Sequence, residues 1–118
     1  MRILILEDDP ERQQCFQRNL VGHDVIITDK AKTAIQLLSD QEWGLLCLDH
    51  DLGGQVYVKS GEGTGYEVAV WLEEHPDRQP PQIILHSLNP AGRENMKRCL
   101  PGAIDLPFAW VKIHTLIE

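Results

Sequence analysis

"LLCLDHDLGG", residues 45–54, is four apolar residues followed at once by Asp49, His50 and Asp51 and then by a pair of glycines. An apolar run without alternation reads as a strand covered on both faces. Two carboxylates and an imidazole side by side cost desolvation and repulsion unless a cation, a hydrogen-bond donor or a proton compensates. A strand over 43–49 with Asp49 at its carboxyl end is therefore expected to open onto a site.

The same pattern recurs outward from this stretch. "RILIL" (2–6) is a second continuous apolar run. "DDPERQQCFQRNL" (8–20) follows as a helix, with Asp9 as N-cap, Pro10 in the first turn and Gly22 just beyond the end. "DVIITD" (24–29) is β-branched and strand-like, and "KAKTAIQLLSD" (30–40) spaces Ala31, Ala34, Ile35 and Leu38 as one helical face. Downstream, a glycine-rich loop over 53–65 leads into a helix at 65–75, a turn at 77–82 and a strand at 83–87. Asn89 and Pro90 then start a helix over 89–100, followed by a short strand at 103–108 and a closing helix at 109–118. Five such alternations predict a parallel sheet with helices on both faces. Ligands in such folds bind outside the carboxyl ends of the strands. There Glu7, Asp8, Asp49, Asp51, His86 and Ser87 are expected to converge.

Composition narrows the rest. The 118 residues suit one domain, 1–118. A net charge of −7 argues against a broad basic surface for nucleic acid or anionic membrane, though not against a local phosphate site. Cys15, Cys47 and Cys99 are odd in number and widely spaced, which reads as reduced thiols. No leader-like or membrane-spanning run is apparent, so the cytoplasm is the expected compartment.

"ILILEDDP", "LLCLDHDLGG" and "GAIDLPF" together resemble the receiver domain of bacterial two-component signalling. The resemblance implies a flavodoxin-like α/β three-layer sandwich with a five-stranded parallel sheet in the order 2-1-3-4-5. It matches Glu7 and Asp8 to the family's acidic pair, Asp49 to its phosphoacceptor, and the Asp51 carbonyl to the position completing a metal shell. Leu52 and Gly53 fall where the family usually has Met or Leu followed by Pro. The departures are specific. His86 stands where a Thr or Ser ends the fourth strand, with Ser87 one residue later. No Lys precedes the Pro of "DLPF", and the loop after the third strand is long. "DHDLGG", "HSLNPAGRENM" and that loop resemble the divergent cyclic-phosphate-processing receiver-like family.

The chemistry expected at the rim follows from the residue types. Glu7, Asp8 and Asp49, with Asp51, are candidate ligands for a divalent cation, and Mg2+ suits a few carboxylates with water and a phosphate oxygen. Asp49 is a candidate nucleophile, and His86 and His50 are candidate general acid and base. Strand alternation puts residues 49 and 51 on one side, which would turn His50 away. Ser87, Asn89, Gly92 and Arg93 are candidate phosphate contacts, since a helix N-terminus presents free N–H groups and Arg a forked donor. Asn89 and Arg93 would otherwise serve as helix cap and solvated surface residue. The glycines at 53, 54, 61, 63 and 65 suit a lid as well as a plain surface loop. Tyr66, Val70, Trp71 and Leu72, with Trp110 and Val111, are expected to be core or interface residues rather than a base-stacking platform. His23, His75 and His114 lie outside the proposed site.

Three functions are compatible with this reading. The chain could be a phosphoesterase or binder for a phosphate-containing ligand such as a cyclic phosphate. It could be a response-regulator receiver phosphorylated on Asp49. Or it could be a non-catalytic pseudo-receiver that binds a signalling protein. No DNA-binding domain accompanies the receiver-like segment, so a signal would pass by association.

Overall fold

The protein is described by a computed structural model over residues 1–54 and 58–108. Along the chain run β1 (Arg2–Leu6), α1 (Pro10–Asn19), β2 (Asp24–Thr28), α2 (Ala31–Asp40), β3 (Leu45–Leu48) and α3 (Gly65–Glu74). A short 3-10 turn at Pro76–Arg78 then precedes β4 (Gln82–Leu85), α4 (Pro90–Cys99) and β5 (Ile104–Asp105). All strands pair in parallel in the order β2-β1-β3-β4-β5. This is the receiver-like, flavodoxin-like topology expected. The helix expected over 109–118, with Trp110 and Val111, lies outside the described residues.

Burial explains why these strands read as unbroken apolar runs. Ile3 and Ile5 of β1 pack with Phe16, Leu20, Leu45, Cys47 and Ile84 on one face. Leu4 and Leu6 pack on the other with Ala34, Leu38, Leu46, Leu48, Val68 and Leu72. Both faces are therefore covered, and no position in β1 or β3 after Arg2 is left for a polar residue. Cys15, Cys47 and Cys99 are free thiols, and burial pushes Cys47 up to about 12, which keeps it protonated.

Local chemistry sets the boundaries that matter for the site. The Asp9 carboxylate accepts from the Arg12 N–H at 3.0 Å, so α1 begins at Pro10 and leaves Asp8 outside it. Asn89 likewise caps α4 by accepting from Gly92 N–H at 3.1 Å. Strand β3 is shorter than the 43–49 expected, although Gly44 and Asp49 N–H still donate to the Arg2 and Leu6 carbonyls of β1 at its two ends, and the Trp43 indole N–H donates to the Leu37 carbonyl at 3.0 Å. Strand β5 is shorter than 103–108, although Leu106 and Phe108 still donate to the Leu85 and His86 carbonyls on either side of Pro107. In α3 the buried stripe is Gly65, Val68, Ala69 and Leu72. Tyr66 and Trp71 pack only partly against that core, and Trp71 stacks on His75 with ring centroids 4.2 Å apart. Among the described residues no helix is long and apolar enough to cross a membrane.

Candidate functional site

The backbone ladder continues one residue past each central strand and thereby sets the site. Glu7 N–H donates to Thr28 O, Asp49 N–H to Leu6 O and His86 N–H to Leu48 O, at 2.9–3.0 Å. These three residues, far apart in sequence, become neighbours at the carboxyl edge of the sheet. Their ligating atoms all lie within 4.8 Å of one another, and all three side chains are buried. His86 Nε2 sits 2.9 Å from Glu7 Oε1. Behind it the imidazole meets the ring of Phe16 edge-on at 5.2 Å, which walls it from water.

Two buried carboxylates so close demand compensation, and the cluster shows how far the protein supplies it. Burial alone would raise Glu7, but the hydrogen bond and charge of His86, the Asp9 amide and the Arg12 guanidinium together hold it below its ordinary value. Burial pushes Asp49 up to about 7; the Glu7 charge adds to this, and His86 and Arg12 oppose it without prevailing. Arg12 Nη1 lies 3.6 Å from Glu7 Oε1 and 3.9 Å from Asp49 Oδ2, and the guanidinium rests over the Phe108 ring at 5.7 Å. His86 Nδ1 is buried without a partner among the described residues. One nitrogen and two carboxylate donors, short of positive charge, are a donor set that fits a divalent metal ion.

The Asp49 carboxylate also faces a cavity of about 270 Å³ bordered by Asp8, Arg12, Asp51, Ser87 and Asn89. Asp8 accepts from the Gly54 amide at 2.7 Å, tying the start of the long loop to the rim. Ser87 Oγ accepts from the Asn89 amide at 3.1 Å. Arg93 turns elsewhere: it donates to the Ser87 carbonyl at 2.6 Å and pairs with Asp105 at 2.7 Å, bracing α4 against β5.

His50 forms the centre of a second cluster. It does turn away from Asp49, as alternation predicts, yet it enters the interior and is fully buried. Its Nδ1 lies 2.8 Å from Asp51 Oδ1 and its Nε2 lies 2.8 Å from Ser60 Oγ. Asn89 Nδ2 adds bonds to Asp51 Oδ1 (3.0 Å) and the Val58 carbonyl (3.2 Å), and Asn95 Nδ2 donates to Ser60 Oγ at 2.8 Å. The imidazole lies flat on Gly92, where a Cβ would stand 2.4 Å from His50 Cγ. Thus Gly92 makes room for His50, a role its sequence position does not announce. Arg12, Ser60 and Asn95 were not singled out by sequence. Arg12 had one available signal, its place in the first turn of a helix that follows a site-bearing strand end. Ser60 had none, because its partner lies ten residues back across a glycine-rich loop.

No curated protein matches the chain. Solved structures do. Rcp1, a response regulator in its Mn2+-bound form, is 19% identical with a TM-score of 0.72, covering 98% of this chain and 90% of that one. The Thermotoga maritima response regulator TrrA, in complex with Mg2+-BeF, is 18% identical with a TM-score of 0.72 over 98% and 95%. The signal receiver domain of a histidine kinase from Syntrophus aciditrophicus is 21% identical with a TM-score of 0.73 over 98% and 85%. At these identities the likeness establishes the fold. The family is set by the sequence itself: the model for the cyclic-phosphate processing receiver domain matches residues 2–102, and the chain belongs to that family.

Proposed function

We propose that this domain binds a divalent metal ion through Glu7, Asp49 and His86 and processes a phosphate ester, with a cyclic phosphate as its substrate class. The observation that carries this reading is the convergence of those three ligating atoms within 4.8 Å, all on buried side chains. An imidazole in the donor set suits Mn2+, Fe2+ or Zn2+ better than the Mg2+ expected from carboxylates alone. When bound, the ion would supply charge to polarise a phosphoryl oxygen. The chain's own residues supply the remainder. Arg12, at the mouth beside Asp49, offers a forked donor to a phosphate in the 270 Å³ cavity. Asp8 holds the loop against that cavity, and Asn89 and Ser87 form its far wall.

The test is calorimetric titration of the metal-free protein with Mn2+ and with Mg2+, together with hydrolysis of a 2′,3′-cyclic nucleotide. One equivalent of Mn2+ should bind more tightly than Mg2+. His86→Ala should weaken Mn2+ by at least the roughly 100-fold that losing an outer-shell partner can cost. Unchanged Mn2+ binding in that variant would sink the metal assignment, and no turnover of a cyclic substrate by the loaded protein would sink the activity. A second reading, phosphorylation of Asp49, is favoured by that carboxylate facing the cavity while Glu7 and His86 do not border it. It would give a base-labile label from a small phosphodonor, absent in Asp49→Asn.

A further inference from the structure

We infer that Ser60 is a nucleophile activated by His50 and Asp51, forming a second reactive centre beside the proposed metal cluster. The hydrogen bonds at His50 fit one arrangement of protons along the row, with Asn89 Nδ2 a further 3.4 Å from Nδ1. Asn95 Nδ2 can only donate, so Ser60 Oγ accepts from it at 2.8 Å and has its own proton left for His50 Nε2, also at 2.8 Å. An ionised Asp51 carboxylate only accepts, so His50 Nδ1 carries the proton shared with it at 2.8 Å. The result is a carboxylate, an imidazole in one tautomer and a hydroxyl in line, which is the arrangement that activates a serine. The imidazole is fully buried, packed on Gly92 and below the loop, so its orientation is fixed.

Ser60 opens onto a cavity of about 620 Å³, separate from the one at Asp49 and bordered by Lys59, Pro90, Ala91 and Asn95. The Lys59 ammonium and the first turn of α4 favour an anionic group there. The substrate class is accordingly a phosphate ester, which rests on the function proposed above. In the first step the Ser60 Oγ–P bond forms while its proton passes to His50. The bond from phosphorus to one ester oxygen breaks, and that oxygen leaves with the proton from His50. Water then attacks the phosphoseryl ester and gives its proton to His50. The Oγ–P bond breaks, Ser60 recovers a proton, and one water is consumed overall.

The test needs no knowledge of the natural substrate. The metal-free full chain is treated with a fluorophosphonate, whose P–F bond breaks as the serine adds, and the adduct is mapped by peptide mass. A single adduct on Ser60 is expected, absent in Ser60→Ala and formed at least tenfold more slowly in His50→Gln. If His50→Gln does not fold, Asp51→Asn supplies the same comparison. No adduct at Ser60 under conditions that label a reference serine hydrolase would overturn the inference, as would equal labelling rates in these variants. Loss of metal binding in His86→Ala should leave the adduct intact, so a failed metal assignment and a failed Ser60 assignment are told apart.

Discussion

The two halves of the rim are built by different means. Glu7, Asp49 and His86 are held by backbone bonds that extend the parallel ladder, and their separation is a consequence of strand register. Asp51, His50 and Ser60 are held by side-chain bonds between a loop and the start of α4. A parallel sheet buried on both faces cannot shift register without exposing its core, so the first half is rigid by construction. The second half depends on a few polar contacts and on one glycine that leaves room for a ring. Buried chemistry can thus be positioned either by topology or by local fit, and mutation should separate the two.

The largest effect is expected where both halves meet. A Cβ on Gly65 would stand 1.8 Å from the Asp49 carbonyl oxygen and 3.1 Å from His50 Cα, both backbone atoms. Gly65→Ala should cost the upper end of the about 1–3 kcal/mol typical of overpacking, measured by urea unfolding, and should impair metal binding and Ser60 labelling together. Gly92→Ala presses first on the His50 ring, so it should abolish labelling while metal titration stays unchanged. Loss of both functions in each variant would erase the distinction between the halves.

A smaller effect concerns pH. With Asp49 raised to about 7 from 3.8, the folded state holds a proton that the unfolded chain has released over that interval. That contribution to stability is complete below 3.8 and is lost as pH rises through 7. Glu7, held below 4.5, acts oppositely and withdraws stability as pH falls through its lowered value. Metal-free protein should therefore lose on the order of 1–3 kcal/mol between pH 4 and pH 8. Asp49→Asn should remove that slope in denaturant titrations, and a slope that persists would exonerate Asp49. The smallest effect is at Asp8, whose carboxylate accepts from the Gly54 amide across an exposed contact. Asp8→Ala should cost no more than about 1 kcal/mol in urea unfolding and should weaken Mn2+ less than His86→Ala.

The legibility of the chain in sequence followed the same division. Apolar runs ending in a polar residue, and the Asp-Pro and Asn-Pro starts of α1 and α4, make the alternation of strands and helices and the position of Asp49 and His86 readable, whereas the strand order is legible only through the resemblance to receiver domains. Those signals are local, and register does the rest. Arg93 shows where local reading ends. It looked like a free forked donor, but its guanidinium meets Asp105, a neighbour only once β5 has paired with β4. Ser60 was invisible because nothing in "VKSGEG" signals which buried imidazole it will find. Gly92 looked like space for an anion, and only the folded chain shows the ring lying against it.

The amide of Gly65 donates to the carbonyl of His50 at 2.9 Å, so the segment between them leaves and re-enters the domain at one point. Leu52 stays anchored in the core, but the outer part of that ring can lengthen, shorten or change composition while the sheet below stays as it is. The metal cluster is thereby insulated from variation in the segment carrying Ser60. One scaffold could host a series of exchangeable cartridges, each bringing its own reactive group to the same anchored imidazole.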